Sequence, residues 1–268
     1  MYLHSAKSML CVNFDADNKV AHLRDIGKID YFTIHKGHCQ IRINGVISAR
    51  SLASLERLSN DAGNDMLKVG NVTVKKTIYG YEKRSKVNAD VIIDRVDVNQ
   101  PSYEYDTQAV WSEIPMYIQE AYYSFKGKPL GGRKKSYRAA VLGPHEHAYD
   151  RGALHAVEHL LCEVAPLFVS CDPRDLCCQH TRRDGDVNRY LLLLYETTAG
   201  GLGVAAKAAE QWEGLLEAAL KIICQCKCSQ GCDKCIYSPA CGEGNHGLDK
   251  EGAKFVLEKL TNTSVVSG

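Results

Sequence analysis

Six cysteines fall between positions 224 and 241 of the 268-residue chain, in the stretch CQCKCSQGCDKCIYSPACGEGNHGLDK. Cys226, Cys228, Cys232, Cys235 and Cys241 are spaced C-x-C-x3-C-x2-C-x5-C, with Cys224 two residues earlier. Zn2+ takes about four thiolate or imidazole ligands, and GCDKC is a turn short enough to bring two sulfurs to one ion. Gly231 permits that turn. Four of the five cysteines are expected to bind: Cys228, Cys232 and Cys235, with Cys226 or Cys241 completing the set. The ambiguity arises because the two cysteines of C-x-C project to opposite sides of an extended segment. His246 is an outside candidate. A disulfide or a redox pair at Cys232 and Cys235 fits less well. Disulfides belong mainly to secreted proteins, and a thioredoxin-like pair follows a strand and opens a helix.

Four further constellations carry possible chemistry. HAVEH places His155, Glu158 and His159 in the inverted zinc-peptidase pattern H-x-x-E-H, and histidines at i and i+4 of a helix can share a metal. Leu154, Val157, Leu160, Leu161 and Val164 around them also allow a packed helix with a polar edge. TTAGGLGVAAKAAEQW sets Gly200, Gly201 and Gly203 between a buried strand and a helix, where backbone N–H groups can hold a phosphate or simply form a tight turn. It lacks the lysine and hydroxyl of a P-loop. CDPRDLCC, residues 171–178, reads as a charged turn with local ion pairs, or less readily as a second metal site. Tyr122, Tyr123 and Phe125 precede Lys126, Lys128, Arg133, Lys134 and Lys135, a mixture of rings and cations that suits single-stranded nucleic acid.

The elements that must position these groups follow from periodicity. Residues 9–115 carry short Val-, Ile-, Thr- and Tyr-rich runs such as MLCVNFD, DYFTIHK, CQIRING, VTVKKTIYGYEK, ADVIIDRVDV and TQAVWSEIP, separated by turn formers. Between two of them, SARSLASLERLSNDAG predicts a short covering helix or a loop. Residues 126–150 are rich in Gly, Pro and charge and read as a connection. Beyond it GALHAVEHLLCEVAPLF and GLGVAAKAAEQWEGLLEAALKII predict helices on either side of a buried strand, RYLLLLYET. Asp249 is placed to cap a last helix with Ala253, Phe255, Val256, Leu257 and Leu260 on its apolar face. The expected fold class is therefore α+β: an antiparallel β-rich module at 1–125, a basic connection at 126–150, and an α/β zinc-binding domain at 151–268.

Bulk properties narrow the partners. Basic and acidic residues nearly balance, 33 against 32, so any polyanion site must be local. The chain has no run of about 18 apolar residues and no secretory signal layout at its start, which predicts an intracellular protein with no membrane partner.

Taken in order, YLHSAKSMLCVNFDADNKVAHLRDIGKIDYFTI, GYEKRS, TQAVWSEIP, ALHAVEHLL, PLFVSCDPRDL, YETTAGGLG and CKCSQGCDKCIYSPACGEGNHGLDKEGA resemble the C-terminal region of MrfA-type and Hrq-type superfamily 2 DNA helicases. The resemblance covers residues 1–260, and the cysteine segment is its most specific part. It implies a four-cysteine zinc module, the MZB domain, that helps hold DNA beside a motor in proteins implicated in DNA repair. Zn2+ would fall on four of Cys226, Cys228, Cys232, Cys235 and Cys241, and the His155–His159 segment would be part of the family's helix. Two departures spare the ligands: the acidic residue after the buried strand is Glu196, and Asp233–Lys234 stand where Pro is common.

No Walker A lysine and no DE-x-H box occur in the chain, so it is not expected to be an enzyme on its own. The start at MYLHSAK suggests a fragment of a longer helicase or a stand-alone accessory copy. The expected function is a zinc-binding, nucleic-acid-binding region that positions DNA, single-stranded, against a helicase motor in the same or a longer chain. Phosphate contacts are expected from Lys126, Lys128, Arg133, Lys134, Lys135 and the Gly200, Gly201 and Gly203 loop. The alternatives are a zinc metallohydrolase using His155, Glu158 and His159, and a zinc-stabilised protein-interaction scaffold. Localisation would be nuclear in a eukaryote and cytoplasmic in a bacterium.

Overall fold

A computed structural model describes residues 2–5, 7–15, 17–52, 66–88, 91–99, 101–126, 148–183, 186–239, 241 and 243–263. The fold is α+β with antiparallel sheets. It divides into two units, residues 1–39 with 76–103 and residues 40–75 with 104–268. The division does not coincide with the expected segments 1–125, 126–150 and 151–268. The reason lies in two long strands, β4 (Tyr31–Ser51) and β5 (Met66–Ser85), each of which supplies residues to both units.

In the first unit β1 (Tyr2–His4), β2 (Lys7–Asp15) and β3 (Val20–Asp25) form an antiparallel meander. The DADN turn works as its composition suggests: the Asp15 carboxylate accepts hydrogen bonds from the backbone and side-chain amides of Asn18 at 3.0 and 2.8 Å. The end of β5 pairs with β6 (Ile92–Asp97). There the buried Glu82 carboxylate is held by Arg84 at 2.7 Å, Arg95 at 3.3 Å and Lys36 at 3.6 Å.

The second unit contains the core. β7 (Tyr103–Glu113) pairs with β9 (Asp186–Glu196), which pairs in turn with β8 (Leu176–Arg183), in the sheet order β4-β5-β7-β9-β8. From Tyr190 to Glu196 every residue of β9 is buried, as its unbroken apolar run predicts for a central strand. Alternation sends Tyr190, Leu192 and Leu194 to one face, where they pack with α1 (Met116–Phe125), α2 (Ala148–Val169), α3 (Val204–Glu210), α4 (Trp212–Gln225) and α5 (Lys250–Leu260).

Three local expectations change. The strand DYFTIHK does not stop before CQIRING but runs on through both to Ser51, so no helix begins at Ser48; residues 53–63 of that expected helix or loop lie outside the described residues. CDPRDLCC is a turn only as far as Asp175 and then becomes edge strand β8. The long helix at 202–223 is broken at Gln211 (φ −107°, ψ 11°) into α3 and α4. Residues Gly152–Val169 of α2 have a mean hydropathy of 1.3, enough in length and composition for a membrane span, yet 61% of them are buried inside the fold. Ala153, Val157, Leu160, Leu161 and Val164 belong to the core, so α2 is the central core helix.

Candidate metal centre

The knuckle begins where α4 ends. Cys226 is the residue at which the helix gives way to extended backbone (φ −77°, ψ 120°). That break turns Cys226 and Cys228 back toward Cys232 and Cys235 instead of letting them diverge. The four sulfurs form one cluster: Cys226 to Cys228 is 3.5 Å, Cys226 to Cys232 3.4 Å, Cys228 to Cys235 3.5 Å and Cys232 to Cys235 3.8 Å. Two thiolates on one tetrahedral zinc, with bonds of about 2.3 Å, lie about 3.8 Å apart. The cluster therefore fits a four-cysteine zinc site, and Cys226 is its fourth member. The alternative fourth ligand, Cys241, is instead beside His155 and His159. Cys224 lies outside the four, and His246 is exposed and joins neither group. None of the twelve cysteines is in a disulfide.

Gly231 sits at φ +138°, and a Cβ there would meet the Ile236 and Tyr237 side chains within 2.6–2.7 Å, so the turn requires glycine. Electrostatics around the sulfurs are uneven. Burial pushes the Cys235 thiol up to about 12. Cys228, against the effect of burial, is drawn down to about 6 by hydrogen bonds from Cys226, Lys250 and the neighbouring thiols. Lys250 supplies the local positive charge. Its Nζ donates to the carbonyls of Cys226 and Cys228 at 2.6 Å each and to the Cys228 sulfur at 3.2 Å. As the first residue of α5, it ties that helix to the knuckle.

The cap of α5 is equally connected. Asp249 accepts from the Gly252 amide at 2.9 Å, the N-cap expected from sequence. It also accepts from Tyr122 Oη at 2.9 Å and pairs with Lys126 Nζ at 2.8 Å. Lys126, expected at a phosphate, is thus committed to this carboxylate. Of the rings expected to stack on bases, Tyr122 is buried and Phe125, half-exposed, stacks on Phe255 at 4.6 Å, while the Tyr123 side chain lies outside the described residues. Lys128, Arg133, Lys134 and Lys135 lie outside the described residues. An open cleft of about 580 Å³ runs between the knuckle and α5, edged by Gln230, Tyr237, His246 and Lys250.

The glycine loop closes on its own strand. The fully buried Glu196 carboxylate accepts from the backbone N–H groups of Leu202 and Ala205, the latter at 2.9 Å. Gly200 N–H goes to Asp106 O at 2.8 Å and Gly201 N–H to Thr198 O at 3.1 Å. With Gly200, Gly201 and Gly203 all at positive φ, the segment is the tight turn that the sequence allowed beside a phosphate cradle, and the N–H groups of Gly200, Gly201, Leu202 and Ala205 are bonded within the protein. Glu158, the base of the peptidase alternative, accepts from both the ring Nδ1 (2.6 Å) and the backbone N–H of His180 on β8. It is a core bridge, not a group facing a metal-bound water. In CDPRDLCC, Asp172 pairs with Arg174 at 2.9 Å, and no metal-ligand group forms there among the described residues.

The family model of the MrfA Zn-binding domain matches residues 157–236, which includes all four clustered cysteines. An uncharacterized protein of Methanocaldococcus jannaschii is 34% identical over 40% of this chain and 98% of its own length. ATP-dependent helicase HRQ1 of Saccharomyces cerevisiae is 22% identical over 98% of this chain. The chain belongs to the C-terminal region family of MrfA/Hrq-type helicases. An uncharacterized ATP-dependent helicase of Bacillus subtilis, YprA, is 22% identical over 88% of this chain. The chain spans only 22% and 27% of the length of these two helicases. A DNA-bound crystal structure of the DUF1998 helicase MrfA shares the fold, with a TM-score of 0.53 and 21% identity over 96% of this chain and 29% of that one. Within this MrfA/Hrq-type region, the zinc-domain match stops at Ile236 and starts after His155, so His155 and Cys241 lie beyond it.

Two functional features were missed in the sequence reading. Lys250 reads as an ordinary first-turn lysine, and nothing in its spacing announces a sulfur contact. The partnership of Cys241 with the histidines had a signal: a fifth cysteine with no place in a four-ligand site, and an i, i+4 histidine pair with no third ligand.

Proposed function

We propose that the chain is a zinc-held, DNA-binding accessory region that serves an ATP-dependent helicase motor of the DNA-repair type. The observation that carries this reading is the four-sulfur cluster, spaced for one tetrahedral ion, within a chain related along most of its length to ATP-dependent helicases. Zn2+ would be held by Cys226, Cys228, Cys232 and Cys235, and its role would be structural, since four protein ligands leave no open position. The DNA-bound state of the solved MrfA supports a nucleic-acid partner. Single-stranded DNA would be held through phosphates by Lys128, Arg133, Lys134 and Lys135, without sequence selectivity. The protein would act inside the cell, in the nucleus of a eukaryote or the cytoplasm of a bacterium. The hydrolase alternative loses its base, because Glu158 is bonded to His180.

The test is fluorescence anisotropy of a labelled single strand with the zinc-loaded chain at several salt concentrations. Binding should weaken as salt rises, and replacing these four cations by Gln should flatten the log–log slope by about 0.7 per lost phosphate contact. A zinc-loaded chain with no salt-dependent affinity for single-stranded DNA would overturn the reading.

A further inference from the structure

We propose that His155, His159 and Cys241 form a second metal site, separate from the four-cysteine knuckle, that takes a zinc-class divalent cation. His155 and His159 are i, i+4 neighbours on α2, with ring centroids 4.5 Å apart. Cys241, on the loop after the knuckle, brings its sulfur to 3.6 Å from His155 Nε2. A sulfur at about 2.3 Å and an imidazole nitrogen at about 2.0–2.1 Å on one tetrahedral ion lie about 3.6 Å apart. One ligand atom from each of the three residues lies within 4.8 Å of the others.

The surroundings of the three groups are those of ligands. Metal-bound histidines donate their second ring N–H to a carbonyl or carboxylate, which fixes the tautomer and turns the other nitrogen to the ion. His159 Nδ1 is 2.6 Å from the Ile236 carbonyl oxygen, which can only accept. The proton is therefore on Nδ1, the tautomer that in a neutral imidazole leaves Nε2 for an ion. His155 Nδ1 faces the Glu243 carboxylate at 3.9 Å while its Nε2 faces Cys241. The Asn245 backbone N–H donates to the Cys241 sulfur at 3.3 Å, the kind of bond that supports a thiolate. Cys241 is 6% exposed, and both imidazoles are partly buried, so the site is shielded without being sealed.

Three protein ligands leave a fourth position for water. Glu158, the nearby carboxylate of the motif, is occupied by His180, so the ion has no base from it for hydrolysis. Its role is to pin the loop from Tyr237 to Leu248 onto α2. Gly152 supports the same closure, because a Cβ there would meet the Gly247 carbonyl at 2.3 Å. The two sites share no residue, and the Ile236 carbonyl that follows Cys235 bonds to His159 of the second.

Titration of the full metal-free chain with Co2+, followed by absorbance, separates the two ligand sets. The intact chain should bind two equivalents: one with the intense sulfur-to-cobalt charge transfer of four thiolates, one with weaker charge transfer and the visible bands of two imidazoles and a single thiolate. Zinc content after dialysis should likewise be two per chain. His155→Gln and Cys241→Ser should each lower this to one, with the four-thiolate signal unchanged and the circular dichroism preserved. One equivalent in the intact chain would overturn the proposal without recourse to any variant. Two equivalents retained by the His155→Gln, Cys241→Ser double variant would overturn it as well. The knuckle's own failure is distinguishable, since it removes the four-thiolate band and leaves the imidazole–thiolate one.

Discussion

Lys250 is the residue that most changes the electrostatics of the knuckle. Four thiolates around a dication carry a net charge of about −2. The ammonium 3.2 Å from Cys228 offsets part of that charge where the sulfurs are withdrawn from water. Partners of this kind are worth about 10–100-fold in metal affinity. Lys250→Met, which keeps the stem and removes the charge, should weaken zinc binding by about that factor in competition with a chromogenic chelator. Unchanged affinity would mean that the lysine only anchors the helix. At the same scale, the cysteine spacing determined which residues cluster but not which four. The choice between Cys226 and Cys241 rests on one local feature, the end of α4 at Cys226, and one contact remote in sequence, the arrival of Cys241 against His155, 86 residues away. Neither leaves a trace in local periodicity.

Helix α5 shows how an element is fixed by its first turn. Its apolar face, Ala253, Val256, Leu257 and Leu260, is buried as the helical spacing predicts. Its entry is held by Asp249, which caps Gly252 and pairs with Tyr122 on α1 and with Lys126 just after it. Gly252 is required beside it, because a Cβ there would meet the Asp249 side chain within 2.4 Å. Asp249→Ala removes the cap and leaves a partly buried ammonium and a phenol without their acceptor, at a cost of about 2–3 kcal/mol. Asp249→Asn keeps the cap and loses only the charge, so it should cost less. Urea unfolding of the two variants checks the ordering, and equal losses would show that the ion pair with Lys126, not the cap, sets the helix entry. The elements that were legible were those with a strong period: β7, β9, α2 and α5 stand close to where the sequence put them. The ones that were not legible depend on tertiary pairing. β8 exists because β9 offers it an edge from Leu176↔Glu196 onward, and its own text, LCCQHTRR, has no alternation to announce a strand. The break at Gln211 lies in a helical pattern that continues through it, and Arg50, reaching from β4 to the Ala209 carbonyl at 2.8 Å and to Glu213 at 2.7 Å, spans the two halves.

For the molecule as a whole, the question is what the metal stabilises. In a small zinc finger, metal binding supplies about 10–16 kcal/mol and the fold exists only with it. Here the second unit has a large core, with Trp212, Leu215, Leu216, Ile223 and the leucines of β9 buried, and the knuckle cysteines pack only at its margin through Cys235 and its neighbours. The Cys226–Cys241 loop has no such reserve. Its described residues form turns and bends rather than strand or helix, and among them only Cys235, Ile236 and Cys241 are buried. Removing the metal should therefore release the knuckle and the first turn of α5 while the sheet holds. Hydrogen exchange on the chelated chain should speed up at residues 226–252 and leave the Leu191–Tyr195 amides of β9 as slow as in the zinc-loaded protein. If the β9 amides lost protection together with the knuckle, the metal would be part of the global fold, and chelation would unfold the whole unit. Retained β9 protection would instead confine the metal's contribution to the knuckle and the start of α5.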